Sequence, residues 1–149
     1  MDIDNGVVHG KAGNEEERSQ IDQMKLFDLT ELGAPRRSRP AAEKVLEGDP
    51  QFSTWSVERS EDGRIHSGIW EATPGAWQSA KDGVWEFCTI LSGVSELSED
   101  GKPARRVCAG DSFVLRPDFK GVWRVLETTR KAFVTQSPQV PGSGSTAPA

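Results

Sequence analysis

The chain has 149 residues, of which 35% are hydrophobic and 28% charged, and it carries a formal net charge of −5. This length suits one domain with a modest core, and the acidic balance gives no electrostatic reason to expect nucleic acid as a partner. No apolar run approaches the roughly 20 residues that a membrane-spanning helix needs, so we expect no membrane partner either.

The two ends of the chain differ in composition from its middle. Residues 1–20 are polar and rich in Gly, Asn and Glu, and they lack the basic and hydrophobic regions of a secretory signal. Residues 138–149 consist mostly of Pro, Gly, Ser, Thr and Ala. Neither end can bury a face, so we predict a disordered leader at 1–20 and a flexible tail at 138–149. The two cysteines lie in apolar stretches, which favours reduced thiols and a cytoplasmic location.

Residues 21–50 show no regular pattern. The apolar residues of 21–32 fit neither a helical nor a strand period, and we predict a short strand or helical turn that docks on the rest of the domain. The basic cluster Arg36-Arg37-Ser38-Arg39 lies among Ala and Pro residues. This context favours a solvated connector over a binding patch.

Residues 51–137 consist of short apolar-alternating runs separated by turn signals. Three Asp-Gly pairs, at 62–63, 82–83 and 100–101, each lie beside strand-like runs and predict hairpins, because Gly accepts the positive φ of a tight turn. Strands spaced about every 8–12 residues, without helical runs between them, indicate an all-β antiparallel sandwich or barrel. The predicted strands are 52–58, 64–72, 84–91, 93–97, 104–108, 112–116, 121–128 and 131–136.

One block of sequence is more specific than the rest. Glu86 stands at the head of an apolar strand, and Gly93 closes that strand seven residues later. With blocks at 67–75, 110–114, 119–123 and 127–131, this motif resembles the cupin superfamily over residues 40–136. The chain is most similar to the single-domain subfamily named for the (S)-ureidoglycine aminohydrolase cupin domain. The resemblance implies a jelly-roll barrel, an antiparallel double sheet with a pocket in its mouth, and assembly as a homodimer.

The same resemblance would place a metal beside Glu86, held by His-x-His ahead of it and by a later histidine. Those positions hold Ser79 and Lys81, or Ala80 and Asp82 in the alternative frame, and Gly121 or Val122. The chain has only two histidines, at 9 and 66. Since iron, manganese or zinc needs three or four well-placed ligands, we predict no metal and no other cofactor. A site built from Glu86, His66 and a thiolate is the alternative that stays open.

Strand alternation puts Glu86, Cys88 and Ile90 on one face, which the cupin register turns toward the lumen. Trp123 should point the same way. A carboxylate beside indole rings in a poorly hydrated pocket should have its pKa raised by desolvation, which suits general acid or base catalysis. The structural alternative is an ion pair, for which the candidate partners are Lys131, Arg116 and Lys120.

We name Glu86 as the candidate catalytic residue and four others as candidate ligand-binding residues: Trp70, Cys88, Trp123 and Lys131. Each also has a structural interpretation. The indoles can be core or subunit-interface residues, and Lys131 can be a surface lysine. No histidine near Cys88 in sequence can make its thiolate, which favours a buried apolar cysteine. His66 is interpreted as an ordinary polar side chain.

Three functions are consistent with these residues. The first is a metal-independent cupin that binds a small organic molecule in its barrel, with acid–base chemistry through Glu86 such as isomerisation or elimination. The second is a metal-dependent hydrolase or deaminase of a small nitrogenous compound, similar to ureidoglycine aminohydrolase. The third is a sensor or partner subunit without enzymatic activity. Because folds of this type host unrelated functions, the fold does not choose among them.

Overall fold

The computed structural model describes residues 22–139, and this part of the chain is all-β, as predicted. All strand pairs are antiparallel. In chain order the elements are β1 (Arg36–Ser38), a 3₁₀ turn (Ala42–Lys44), β2 (Val45–Gly48), β3 (Phe52–Arg59), β4 (Ile65–Ala72), β5 (Gly75–Ala80), β6 (Trp85–Glu99), β7 (Arg105–Cys108), β8 (Ser112–Leu115) and β9 (Lys120–Gln136).

Two long strands, β6 and β9, organise the barrel because they belong to both of its layers. Residues 129–136 of β9 lie between β4 and the first half of β6, and β3, β1 and β8 extend this layer. Residues 120–125 of β9 lie between β5 and the second half of β6, with β2 and β7 at the edges. The result is the predicted double-sheet jelly roll.

The sequence pattern predicted that Gly93 ends its strand, and this prediction is wrong. Strand β6 continues through Gly93 to Glu99. The pairing with β9 shifts register on both sides of Ser92–Val94, and Gly93 has a φ of 89°. A Cβ at this position would collide with the carbonyl oxygen of Thr128 on β9. Gly93 therefore forms a bulge that bends β6, which lets one strand pass from the first layer to the second.

The Asp-Gly predictions are correct at two of three places. The pairs at 62–63 and 100–101 join the paired strands β3–β4 and β6–β7. The pair Asp82-Gly83 instead joins β5 to β6, which do not pair with each other: β5 pairs with residues 120–125 of β9, whereas the start of β6 pairs with residues 130–136. The turn is closed by Val84 N–H, which donates to the Lys81 carbonyl at 3.0 Å. It carries the chain between layers and brings Lys81 to the start of β6.

Three strands, β1, β2 and β5, are absent from the sequence-based assignment. The interpretation of residues 36–39 as a solvated connector is wrong for β1, where Arg36 pairs with Thr54 and Ser38 with Phe52. The short strands β1 and β2 escape detection because three or four residues show no alternation. Strand β5, Gly75–Ala80, contains small and polar residues around Trp77, so its apolar pattern is weak.

Residues 22–35 form no strand and no helix, contrary to the expectation for this segment. They contact β3: the Trp55 Nε1 donates to the Gly33 carbonyl at 2.9 Å, and Lys25 Nζ donates to the Val57 carbonyl at 3.0 Å. The leader at 1–20 and most of the predicted tail lie outside the described residues. Within residues 22–139, no helix is long and apolar enough to cross a membrane.

The core lies between the two layers and contains one buried chain of hydroxyl groups. One apolar cluster of the core consists of Ala72, Trp77, Leu97, Leu115, Trp123 and Val125. The indole N–H of Trp123 donates to Ser95 Oγ at 3.1 Å, and Thr129 Oγ1, 2.6 Å from Ser95 Oγ, donates to the Glu127 carbonyl. Because the single proton of Thr129 goes to that carbonyl, Ser95 must donate to Thr129. This chain satisfies the buried polar groups and fixes the Trp123 ring.

Candidate functional site

A cavity of about 330 Å³ lies among inward-facing side chains of both layers. Five Phe and Trp side chains contribute to its wall: Phe52, Trp70, Trp77, Trp123 and Phe133. Charged groups at the cavity are Arg36, Lys81, Glu86 and Lys131. A larger hollow of about 530 Å³, beside Arg116 and Phe119, includes neither Glu86 nor a tryptophan. The first cavity is therefore the candidate site.

Glu86 is the centre of a buried ion cluster. It is 5% exposed, and Cys88 and Ile90 are buried on the same face of β6, as strand alternation predicts. Lys81 Nζ donates to Glu86 Oε1 at 2.6 Å, and Lys131 Nζ donates to Glu86 Oε2 at 2.8 Å. Lys131, itself 6% exposed, points inward from β9. Each carboxylate oxygen thus has its own ammonium partner.

The expected rise in the pKa of Glu86 is wrong. Burial by itself raises this pKa, but the charges and hydrogen bonds of Lys131 and Lys81 outweigh burial and lower it to about 2. For Lys131, burial favours the neutral amine, yet the Glu86 carboxylate prevails and raises the lysine pKa. The catalytic interpretation of Glu86 counted desolvation alone, whereas the structure agrees with the alternative interpretation, an ion pair with Lys131. At neutral pH the cluster therefore consists of one carboxylate and two ammonium groups.

Acid should weaken the fold through Glu86. Its pKa is lowered from 4.5 to about 2 in the folded chain, so the stabilisation is complete above pH 4.5 and is lost as the pH falls toward 2. The contribution at neutral pH is about 3 kcal/mol. Urea unfolding at a series of pH values should show this loss, and Glu86→Gln should remove that part of the pH dependence. An acid slope equal in both proteins would contradict the assignment.

Lys131 also lies between two indole rings. Its Nζ is 4.4 Å from the centroid of the Trp70 ring and 4.7 Å from that of Trp123, and the two rings meet edge to face at 5.3 Å. Trp77 stacks parallel to Trp123 at 6.2 Å. The structure thus brings together four of the five residues named from sequence, Glu86, Trp70, Trp123 and Lys131, and adds Trp77. These contacts hold a buried cation by its charge and by the ring quadrupoles.

Cys88, the fifth residue, is not at the cavity surface. It is fully buried and absent from the cavity wall. Burial raises the pKa of its thiol to about 12, which keeps it protonated at neutral pH. Its packing agrees with the interpretation as a buried apolar cysteine.

Reaction with a thiol reagent should separate the two cysteines. We expect the exposed Cys108 to react rapidly in the native protein and the buried Cys88 to react only after unfolding, because only accessible thiolate attacks the reagent. Mass spectrometry after brief labelling measures the adducts. Cys108→Ser should remove the fast adduct, whereas Cys88→Ser should leave it. Rapid native labelling of Cys108→Ser would contradict the burial of Cys88.

His66 lies at the cavity border, although its sequence context indicated an ordinary polar side chain. Its Nε2 is 2.6 Å from Ser56 Oγ, and its ring meets Phe133 edge to face at 5.1 Å. Partial burial and the charges of Arg59 and Arg36 lower the pKa of His66. The imidazole is therefore neutral at pH 7 and can accept or donate one hydrogen bond.

The positions that the cupin resemblance assigns to metal-binding histidines meet in space, but their side chains do not fit a metal. Ser79 pairs with Gly121 across β5 and β9, and Ser79 and Lys81 border the cavity near Glu86. A hydroxyl, an ammonium and a glycine offer no ligand set for a divalent cation. Within residues 22–139, no three His, Cys, Asp or Glu side chains form a group that could hold a metal ion.

Two cations of the site, Lys81 and Arg36, were not named from sequence as site residues. The sequence analysis mentioned Lys81 only as a position where a metal-binding histidine is missing. That position was nevertheless a signal that the Lys81 side chain lies near Glu86. In the cupin motif, the position five residues ahead of Glu86 lies against the carboxylate, and in this chain Lys81 occupies that position. Of the proposed ion-pair partners, Lys131 is confirmed, whereas Arg116 and Lys120 do not contact Glu86. Arg36 belongs to the basic cluster that the sequence favoured as a connector over a binding patch, and its place at the cavity depends on β1 pairing with β3.

An antiparallel double-sheet barrel with an inward carboxylate on its long strand is consistent with a cupin. A family model, the EutQ-like cupin domain, matches residues 59–133, and the chain belongs to this family. No curated protein matches the chain by sequence. The more specific ureidoglycine aminohydrolase subfamily is not supported by this match.

Solved structures agree on the fold. A protein of unknown function from Pseudomonas syringae pv. tomato superposes with a TM-score of 0.63 at 19% identity over 78% of this chain and 46% of its own. A predicted oxalate decarboxylase from Thermotoga maritima gives 0.60 at 13% identity, covering 75% and 98% of the two chains. Clostridium difficile EutQ gives 0.54 at 14% identity, covering 71% and 89%. The chain spans less than half of the Pseudomonas protein's length. At these identities the similarity extends to the fold alone.

Proposed function

We propose that this cupin binds a small organic molecule in its barrel without using a metal. The observation that carries the proposal is the buried Lys81–Glu86–Lys131 cluster, in which an ammonium contacts each oxygen of the conserved-motif carboxylate. A divalent cation at Glu86 would have to displace both lysines or lie beside their positive charges. The serine and glycine at 79 and 121 would not compensate for that repulsion.

The cavity has the size and composition of a small-molecule site. Its volume of about 330 Å³ is at the lower end of the roughly 300–1,000 Å³ typical of such pockets. Aromatic rings supply apolar contact, and polar and charged side chains line the same cavity; polar groups among apolar ones are the usual way that a ligand is oriented. This arrangement supports binding of a compact molecule with an apolar part.

Any chemistry in the cavity would depend more on the lysines than on proton transfer by Glu86. A carboxylate whose pKa is about 2 is a weak base and carries no proton to donate at neutral pH. Two fixed ammonium groups at the cavity can instead stabilise negative charge that develops on a ligand. In this proposal Glu86 keeps both lysines charged and in place. Acid–base catalysis by Glu86 is the second candidate function.

We also propose that the protein is a cytoplasmic homodimer. Light scattering tests the dimer.

Metal analysis of protein purified without chelators tests the first part. We expect manganese, iron, nickel and zinc far below one per chain, and no rise in the melting temperature when these ions are added. A protein that binds a metal in its native state would be stabilised by it. Stoichiometric metal that disappears in Glu86→Gln would contradict the proposal and favour the metal-dependent hydrolase or deaminase.

A thermal-shift screen of small organic molecules tests the second part. A ligand that binds the native state raises the melting temperature, and its entry should change tryptophan emission because three indoles form the wall. Trp70→Leu should weaken binding of the compound. Trp85 lies outside the cavity wall, so Trp85→Leu should leave binding unchanged. Hits that bind without being converted would favour the sensor or partner subunit. A hit unaffected by Trp70→Leu would place binding elsewhere.

A further inference from the structure

The candidate cavity carries positive charge in a chain that is acidic as a whole. Arg36, Lys81 and Lys131 border it against the single carboxylate of Glu86, and His66 is neutral at pH 7. The cavity therefore carries two positive charges, whereas the chain carries a formal charge of −5. Low-dielectric aromatic walls strengthen the field of such charges on a molecule inside.

The cations differ in how much of their hydrogen-bonding capacity is used. Lys131 is enclosed by Glu86, Trp70 and Trp123, so its ammonium contacts residues of the cavity wall and is less available to a ligand. The Lys81 side chain is 16% exposed and borders the cavity. An ammonium has three N–H donors, and within the described residues Lys81 uses one of them, toward Glu86 Oε1. The remaining donors of Lys81 are available to a molecule in the cavity.

Arg36 adds a second donor at the exposed border of the cavity. It lies on the edge strand β1, opposite Thr54, and its side chain has no ion-pair partner among residues 22–139. Its charge nevertheless reaches into the cavity, since it helps to lower the pKa of His66. A planar guanidinium at this border suits a carboxylate, which it can bind through two parallel hydrogen bonds.

We propose that the ligand of this cavity is a small organic anion: a carboxylate held by Lys81 and Arg36, attached to a flat apolar group that packs on Trp70 and its neighbours. The inference rests on the proposed function, that the cavity binds an organic molecule, and it names the ligand's charge and shape. A cationic ligand would be repelled by the net charge, and a neutral one would gain only the aromatic contact. The lysine that stands at a metal-ligand position thus supplies the positive charge itself.

Three compounds with one ring and different charge test the inference: benzoate, benzamide and benzylamine. Calorimetry or ligand-observed NMR should show benzoate binding at least about tenfold more tightly than benzamide, the ratio expected for a charge-assisted hydrogen bond. Benzylamine should bind more weakly than either. Lys81→Met should reduce benzoate affinity about tenfold and leave benzamide unchanged. Lys102→Met, at the exposed β6–β7 turn, is the matched control and should change neither affinity.

Lys81→Met keeps Glu86 paired with Lys131, so we expect it to fold. If circular dichroism shows that it does not, Arg36→Gln at the exposed border replaces it and should reduce benzoate affinity at least about threefold. Equal affinity for benzoate and benzamide in the wild type would overturn the preference for anions while leaving organic-molecule binding intact. Preference for benzylamine, or no binding of benzoate at millimolar concentration, would also overturn it. Failure of the proposed function would appear separately, as bound metal or a cavity without hits.

Discussion

Glu86→Gln is expected to lower the free energy of unfolding by about 3–5 kcal/mol, the usual cost of removing one partner from a buried ion pair. The amide has nearly the same shape, so little packing is lost. The charge is lost, and with it the group that neutralises Lys131, an ammonium 6% exposed, and Lys81. Two positive charges then face each other inside the barrel without a counter-ion.

Urea unfolding at neutral pH measures this effect, and two further variants show its origin. Glu99→Gln removes an exposed carboxylate that pairs with Lys102, and it should cost less than about 1 kcal/mol. Combining Glu86→Gln with Lys131→Met should cost less than the sum of the single changes, because the second change removes the unpaired cation. Additive losses, or a loss from Glu86→Gln as small as that from Glu99→Gln, would contradict the buried cluster.

Gly93→Ala should be strongly destabilising, with a cost above about 3 kcal/mol. The φ of 89° alone disfavours a side chain, by about 1–2 kcal/mol. In addition, the new Cβ would collide with the Thr128 carbonyl, which belongs to the paired strand β9 and cannot move aside without breaking the bulge. Strand β6 would then lose the bend that lets it pass from the first layer to the second.

Gly101→Ala is the matched control for this substitution. Gly101 has a φ of 79°, and a Cβ there would meet no atom within 4 Å. Its cost should therefore be the conformational part only, about 1–2 kcal/mol. Thermal or urea unfolding of both variants gives the difference. Equal losses would mean that Gly93 is needed for its backbone angle and that the approach of β9 is unimportant.

The all-β fold was predictable because its signals are local. Alternation over five or six residues places Glu86, Cys88 and Ile90 on the buried face, and turn residues mark most strand ends. The motif blocks supplied the barrel. The predictions that were wrong concern features that depend on strand pairing with residues far along the chain. Gly93 ends a strand or bends it according to whether β9 continues beside it, and Asp82-Gly83 forms a hairpin only if its flanking strands pair.

The candidate site follows the same division. The inward direction of Glu86 came from strand alternation together with the cupin resemblance, and Lys131 was one of three candidate ion-pair partners. The sign of the pKa shift could not be predicted in this way, because it depends on two ammonium groups, one brought to the carboxylate by the β5–β6 turn and the other by β9. Burial alone pushes the pKa upward, and distances of 2.6 and 2.8 Å reverse it. Those distances are set by tertiary packing, which no single segment encodes.

Two lysines inside the barrel hold Glu86 as a carboxylate. NMR of the carbon-13-labelled Glu86 carboxyl group, followed as the native protein is acidified, measures this state. We predict that the Glu86 resonance stays at its ionised position at pH values where exposed Glu side chains are already half protonated, and that adding manganese or zinc at neutral pH leaves it unchanged. Protonation with a midpoint at or above 4.5, or a metal-dependent shift or broadening of that resonance at one equivalent, would contradict the account.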